Sequence, residues 1–97
     1  MGALIPVPPE VVVYWRPMCG YCGRLTAALD AAGVPYAPVN IWEDRSQADV
    51  VRRASGGDEV VPTVRIGERF LVNPRIEEVL AAVAAASGGP SASGRPS

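Results

Sequence analysis

Two cysteines three positions apart are the residues of this chain best suited to chemistry. Cys19 and Cys22 enclose Gly20 and Tyr21, and the 97-residue chain has no other cysteine. A Cys-x-x-Cys pair can cycle between a dithiol and a disulfide. The spacing therefore predicts thiol–disulfide exchange.

The two cysteines have different predicted roles because they lie between a predicted strand and a predicted helix. Cys19 falls at the start of the helix, where backbone N–H groups lack partners within the helix and the helix dipole is positive. Those amides stabilise a thiolate, so Cys19 is the predicted nucleophile. Cys22 lies one turn further along on the same side and is less exposed. It is the predicted resolving cysteine.

Three other uses of a cysteine pair are weaker alternatives. A zinc site needs two further ligands, and the chain has no third cysteine and no histidine. A structural disulfide closing so short a loop would remove little entropy from the unfolded chain. Two unrelated buried thiols would not account for a position at a strand-to-helix junction. We therefore expect no metal and no bound cofactor.

The composition is typical of one ordinary globular domain, with 48% hydrophobic residues, 20% charged residues and a formal net charge of −1. This balance lacks the excess of basic residues that binding to nucleic acid or to an anionic membrane would require. Residues 1–6 show no secretory signal, and the apolar run over 80–86 is far shorter than the ~18 residues of a membrane span. We expect a cytoplasmic monomer, and in that compartment a cysteine pair is more often catalytic than structural.

Seven segments show strand or helix patterns. Residues 10–15 are β-branched, aromatic and apolar on both faces, which predicts a central strand. A helix follows from Cys19 to a Gly33 stop signal, and a second helix is predicted over 45–54. The other predicted strands are residues 36–41, 62–66 and 69–72, the last two forming a hairpin.

The last predicted helix begins with Asn73 as N-cap and Pro74 at the first helical position. Its apolar stripe comprises Ile76, Val79, Leu80 and Val83. The order β-α-β-α-β-β-α predicts an α/β, thioredoxin-like sandwich in which three helices flank a four-stranded mixed sheet. The predicted domain spans residues 10–86, after a flexible arm (1–9) and before a disordered tail (87–97).

The sequence resembles the glutaredoxin family, and within it most closely the mycoredoxins, over about residues 10–86. Glutaredoxins usually have proline between the two cysteines, whereas mycoredoxin-like sequences have glycine, as at Gly20 here. The segments that carry the resemblance are Cys19-Gly20-Tyr21-Cys22-Gly23-Arg24-Leu25, Val34-Pro35-Tyr36, Gly56-Gly57-Asp58-Glu59-Val60-Val61-Pro62-Thr63-Val64 and Asn73-Pro74.

The resemblance implies that the Val61-Pro62 peptide bond is cis and that the Val61 backbone pairs with an extended thiol ligand. Tyr21, Pro62 and Asn73 are the other implied ligand contacts. Glutathione-using members commonly have a Gly-Gly turn and an Asp-containing helix start that hold a carboxylate. Here Pro74 removes one amide donor from that position, which favours mycothiol, with its sugar–inositol group, over glutathione as the co-substrate.

The leading functional prediction is an oxidoreductase that reduces mixed disulfides between proteins and a low-molecular-weight thiol, with roles in electron transport and redox homeostasis. Two alternatives remain open at this point. The chain could be a thioredoxin-like dithiol donor recharged by a flavin reductase, or a glutaredoxin that bridges an iron–sulfur cluster between two subunits.

Overall fold

A computed structural model describes residues 9–88 of the chain, and its elements follow the predicted order. The predicted arm through residue 8 and the predicted tail from residue 89 lie outside the described residues. The last helix includes residues 87 and 88, which the sequence had assigned to the tail. The strands are β1 (Val11–Trp15), β2 (Ala37–Asn40), β3 (Thr63–Ile66) and β4 (Arg69–Val72), and the helices are α1 (Gly20–Ala31), α2 (Arg45–Ser55) and α3 (Ile76–Gly88).

The four strands form one mixed sheet in the order β2-β1-β3-β4. β1 runs parallel to β2 and antiparallel to β3, and β4 closes the hairpin with β3. The predicted thioredoxin-like architecture is confirmed. β1 is central because each of its first four residues is apolar and buried, so both faces of the strand can be covered.

Alternate residues of β1 face two separate cores, as the period of a strand requires. Val11 and Val13 face the side of α1 and α3, whereas Val12 and Tyr14 face the side of α2. Other members of the first core are Leu25, Leu29, Val64, Ile66, Val79 and Ala82. The second core also contains Ile41, Ala48 and Val51. Helices on both faces therefore fix β1, whose last residue leads directly into the loop that carries the cysteines.

The start of α3 differs from the prediction. Asn73 is not the N-cap, because its backbone N–H donates to the Pro62 carbonyl at 2.9 Å and extends the β3–β4 ladder by one residue. Its φ is 49°, in the left-handed region that asparagine tolerates better than most residues. The helix therefore begins at Ile76, and the Arg75 N–H before it donates to Glu78 Oε1 at 2.7 Å, which is half of a capping box.

The apolar stripe of α3 also differs in one member from the prediction. Leu80 is 36% exposed, whereas Val79 and Ala82 are 0% and 4% exposed. The side of α3 that meets the sheet is therefore centred on Val79 and Ala82, with Ile76 and Val83 partly buried beside them. Leu80 lies at the edge of that face because it is one residue, about 100°, away from Val79 around the helix.

Candidate active site

Cys19 occupies the N-cap of α1, at the point where the chain leaves β1 and enters the helix. Its backbone is extended, with φ −112° and ψ 104°, and its side chain accepts a hydrogen bond from the Cys22 N–H, with 3.2 Å between N and Sγ. The Gly23 N–H donates to the Cys19 carbonyl at 3.2 Å. A sulfur at this position meets the backbone amides of the first turn, which have no partner within the helix.

Cys22 lies on the inner side of the same turn. Its side chain is 3% exposed, whereas Cys19 is half-buried, and both are free thiols. Burial, which is the larger cause, and the hydrogen bond with Cys19 raise the pKa of Cys22 from 9.0 to about 12, against an opposing effect of the Arg16 backbone. Cys22 therefore keeps its proton at neutral pH. The accessible sulfur of the pair is Cys19.

The raised pKa of Cys22 predicts a loss of folding stability at alkaline pH. Below about pH 9 the thiol is protonated in both the folded and the unfolded chain, so its contribution is complete. Above that pH the unfolded chain loses the proton first, and stability falls until the pH reaches about 12. Urea unfolding in the presence of reductant is expected to show at least about 1 kcal/mol more loss by pH 11 than in Cys22→Ser. Parallel pH profiles for the two proteins would contradict the prediction.

The loop before β3 brings a second group to Cys19. The Val61-Pro62 peptide bond is cis, as the resemblance implied. The Cys19 thiol donates a weak hydrogen bond to the Val61 carbonyl, with 3.8 Å between Sγ and O. The loop is held in place because the buried Thr63 hydroxyl donates to the Val60 carbonyl at 2.7 Å. The structure thus places backbone polar groups of Val61 within reach of a molecule attached to Cys19.

A groove of about 440 Å³ runs beside this loop, between α1 and the segment that joins β4 to α3. It brings together three of the four predicted ligand contacts, Tyr21, Pro62 and Asn73. The guanidinium of Arg24 lies over the Tyr21 ring, 5.3 Å from its centroid. The remaining lining residues, which the sequence analysis did not assign to the site, are Arg24, Leu25, Ala28, Pro74, Arg75 and Ile76.

A second cavity, of about 290 Å³, contains Cys19 and Cys22 and lies on another face of α1. Met18 and Thr26 are lining residues that the sequence analysis missed. Met18 is 92% exposed and has a φ of 64°, a local conformation that no sequence pattern signals. Thr26 could have been found, because it lies two helical turns after Cys19 on the same side of α1. α1 therefore separates a groove lined by Tyr21, Pro62 and Asn73 from a cavity that contains the two cysteines.

The described part of the chain, residues 9–88, contains no helix that is long and apolar enough to cross a membrane. Within the same residues, no three His, Cys, Asp or Glu side chains are grouped so that they could hold a metal ion.

Comparison with known proteins places these features in context. Residues 11–71 match the family described as Glutaredoxin. A Mycobacterium tuberculosis protein named "Putative glutaredoxin Rv3198A" is 37% identical over 76 residues, which cover 77% of this chain and 90% of the relative. Mycoredoxin 1 of Corynebacterium glutamicum is 32% identical over 77 residues, covering 78% and 95%. The crystal structure of glutaredoxin (grx-1) from Archaeoglobus fulgidus superposes with a TM-score of 0.65 at 24% identity, covering 75% of this chain and 84% of that one.

Proposed function

The chain belongs to the glutaredoxin family of thiol–disulfide oxidoreductases, and from that premise we propose that it reduces mixed disulfides between proteins and mycothiol. Cys19 is the nucleophile in this proposal. The observation that carries it is the arrangement of one accessible sulfur between the Cys22 amide, which stabilises its thiolate, and the Val61 backbone. The proposed setting is the reducing cytoplasm, where such an activity serves redox homeostasis and needs neither a bound cofactor nor a partner subunit.

The proposed reaction has two exchange steps. The Cys19 thiolate attacks the mycothiol sulfur of the mixed disulfide, and the protein sulfur leaves as a thiolate that takes a proton from water. Mycothiol is then joined to Cys19 by a disulfide. A second mycothiol thiolate attacks the sulfur of the bound mycothiol, which releases mycothiol disulfide and restores the Cys19 thiolate. In each turnover one disulfide bond is broken and one is formed: the protein sulfur is reduced to a thiol, and one free mycothiol is oxidised into mycothiol disulfide.

The burial of Cys22 favours the second mycothiol over Cys22 in the second step. An attacking sulfur must be a thiolate, and burial keeps the Cys22 thiol protonated. When Cys19 is joined to mycothiol, the contribution of the Cys19 contact to the Cys22 pKa disappears, but burial, which is the larger cause, remains. Cys22 is therefore the slower resolving group, and intramolecular disulfide formation is a side route.

Two features of the groove support mycothiol over glutathione. The start of α3 offers few amides to a carboxylate, because Pro74 has no N–H and the Arg75 N–H is already bonded to Glu78. Glu77 and Glu78 also place negative charge in the first turn of α3, which disfavours a second anion there. A sugar–inositol group carries hydroxyls instead, and the guanidinium N–H groups of Arg24 and Arg75 can bond them. The likeness to mycoredoxin 1 points the same way.

The test compares one peptide joined by a disulfide to mycothiol or to glutathione, each reduced with its own thiol. We expect kcat/KM to be at least about tenfold higher for mycothiol, because the backbone amides at the start of α3 that would hold a glutathione carboxylate are missing at Pro74 and already bonded at Arg75. A parallel reaction contains thioredoxin reductase and no small thiol. Equal rates for the two thiols would contradict the preference, and turnover that requires Cys22 and the reductase would replace the proposal with the thioredoxin-like alternative.

A further inference from the structure

We propose that the ion pair between Arg45 and Glu59 is a positioning device that holds the Val61 backbone in register for the small thiol bound at Cys19. The inference rests on the proposed function, since it concerns the same ligand. Neither residue lines the groove of about 440 Å³ or the cavity that contains Cys19 and Cys22, and neither contacts Cys19. Their role is to fix the loop that does.

Glu59 is held by two arginines of α2. Arg45 Nη2 lies 2.7 Å from Glu59 Oε2 and Arg45 Nη1 lies 3.2 Å from Oε1, a bidentate arrangement in which both carboxylate oxygens are used. Arg52 Nη1 donates to Oε2 as well. The carboxylate is only 32% exposed, and its pKa lies below the ordinary value, first because of the hydrogen bond from Arg45. Glu59 is therefore anchored on three N–H groups of one rigid helix.

Arg45 extends this anchor to the centre of the fold. Its Nη1 also donates to the Ile41 carbonyl at 3.2 Å. Ile41 is fully buried, and its N–H donates to the carbonyl of Trp15, the last residue of β1, at 2.9 Å. One guanidinium thus links the loop before β3 to the loop after β2 and, through Ile41, to the strand that leads into the cysteine loop.

The position of Glu59 in the chain makes this link relevant to the ligand. Glu59 lies two residues before Val61, and Gly56 and Gly57 precede it with φ of 87° and 131°. Without the ion pair, the loop between these glycines and the buried Pro62 keeps the hydrogen bonds of Ser55 to the Asp58 carbonyl and of Thr63 to the Val60 carbonyl, and at Val61 itself only the weak bond from the Cys19 thiol. A small displacement of Val61 would weaken hydrogen bonds to a bound thiol, since misplacement by about 1 Å is enough to reduce binding and rate markedly.

The stability of the fold does not account for this arrangement. Exposed ion pairs generally contribute little to the free energy of folding. Another Arg–Glu ion pair, Arg65 with Glu10 at 3.1 Å, is also partly exposed, at 26% for the arginine side chain and 66% for the glutamate side chain. That pair lies at the beginning of β1, the end of the strand opposite the cysteines. Glu10→Gln is therefore a matched control for Glu59→Gln, because the same chemical change is made at a pair that does not touch the Val61 loop.

The experiment measures kcat and KM for the mycothiol–peptide disulfide in wild type, Glu59→Gln, Arg45→Gln and Glu10→Gln. We expect both changes at the pair to raise KM about fivefold and to leave kcat within about twofold, the signature of lost binding that is equal in the ground and transition states. Alkylation of Cys19 by iodoacetamide should change by less than about twofold, because the Cys22 N–H that donates to its sulfur is not altered and the contact with the Val61 carbonyl is weak. Glu10→Gln should match wild type in all three quantities.

The inference would be overturned if KM were the same in Glu59→Gln and Glu10→Gln, whether both stay at the wild-type value or both rise.

The backbone amide order parameter of Val61, measured by nitrogen-15 relaxation, tests the same device without any turnover. It is expected to fall in Glu59→Gln and Arg45→Gln only, and an unchanged value would overturn the inference. If wild type fails to turn over the mycothiol substrate while the order parameter falls as expected, the proposed function fails and the positioning device stands.

Discussion

Replacing Cys19 with serine is expected to reduce turnover of a mixed disulfide by at least about a thousandfold, because the reaction then has no nucleophile. The exchange needs an anionic sulfur, and a serine hydroxyl at the same N-cap stays protonated at neutral pH. Serine is itself a good N-cap, so the helix and the fold should survive the change. The measurement is the rate of peptide thiol release from the mycothiol–peptide disulfide, with circular dichroism as the check on folding.

Cys22→Ser is the matched control for this prediction, since it is the same substitution three residues away. We expect it to retain at least about half of the wild-type rate, because a buried, protonated thiol is a poor attacking group and mycothiol performs the second step. Loss of the side route that forms the Cys19–Cys22 disulfide could raise the rate further. Substantial turnover by Cys19→Ser would contradict the assignment, and an inactive Cys22→Ser would make the mechanism a dithiol one.

Leu29→Ala is expected to destabilise the protein by about 2–5 kcal/mol, the range for removing a fully buried leucine side chain. Leu29 is 0% exposed and lies in the core between α1, α3 and the sheet. In a domain of this size the melting temperature should fall by about 10–40 °C. Thermal unfolding under reducing conditions measures the change.

Leu80→Ala is the control for this second prediction, because it removes the same atoms from another helix. Leu80 is 36% exposed, so its loss should cost less than about 1 kcal/mol. The comparison also tests how α1 is held, since Leu29 anchors the helix whose first turn carries the cysteines. Equal destabilisation by the two changes would contradict the description of the core.

The features that could be predicted from the sequence are those that depend on neighbours in the chain. β1 is recognisable because its apolar residues are consecutive, and the position of Cys19 follows from the strand before it and the helix after it. The order of elements follows in the same way. Each of these patterns is set by local propensity and by burial of one or both faces. Both are visible in the residue types and in the spacing of apolar residues along the sequence.

The start of α3 could not be predicted in the same way. Asn73-Pro74 has the composition of a helix start, but the Asn73 N–H pairs with the Pro62 carbonyl on the adjacent strand. That tertiary hydrogen bond outweighs the local capping preference. It also makes Arg75, and not Asn73, the residue that precedes the first turn of the helix. Both residues line the groove.

The anchor of the Val61 loop was missed for a similar reason. Arg45 and Glu59 are 14 residues apart, on a helix and on a loop, and no periodicity relates them. The exposed Met18, by contrast, is next to Cys19 in the chain and was missed because its left-handed backbone conformation has no signal in the residue type.

The role of Cys19 as the nucleophile is tested by intact-mass spectrometry of Cys22→Ser mixed with one equivalent of the mycothiol–peptide disulfide and no free mycothiol. We expect one mycothiol per protein, attached at Cys19, together with an equal amount of free peptide thiol. A protein that carries the peptide or that remains unmodified would contradict this assignment.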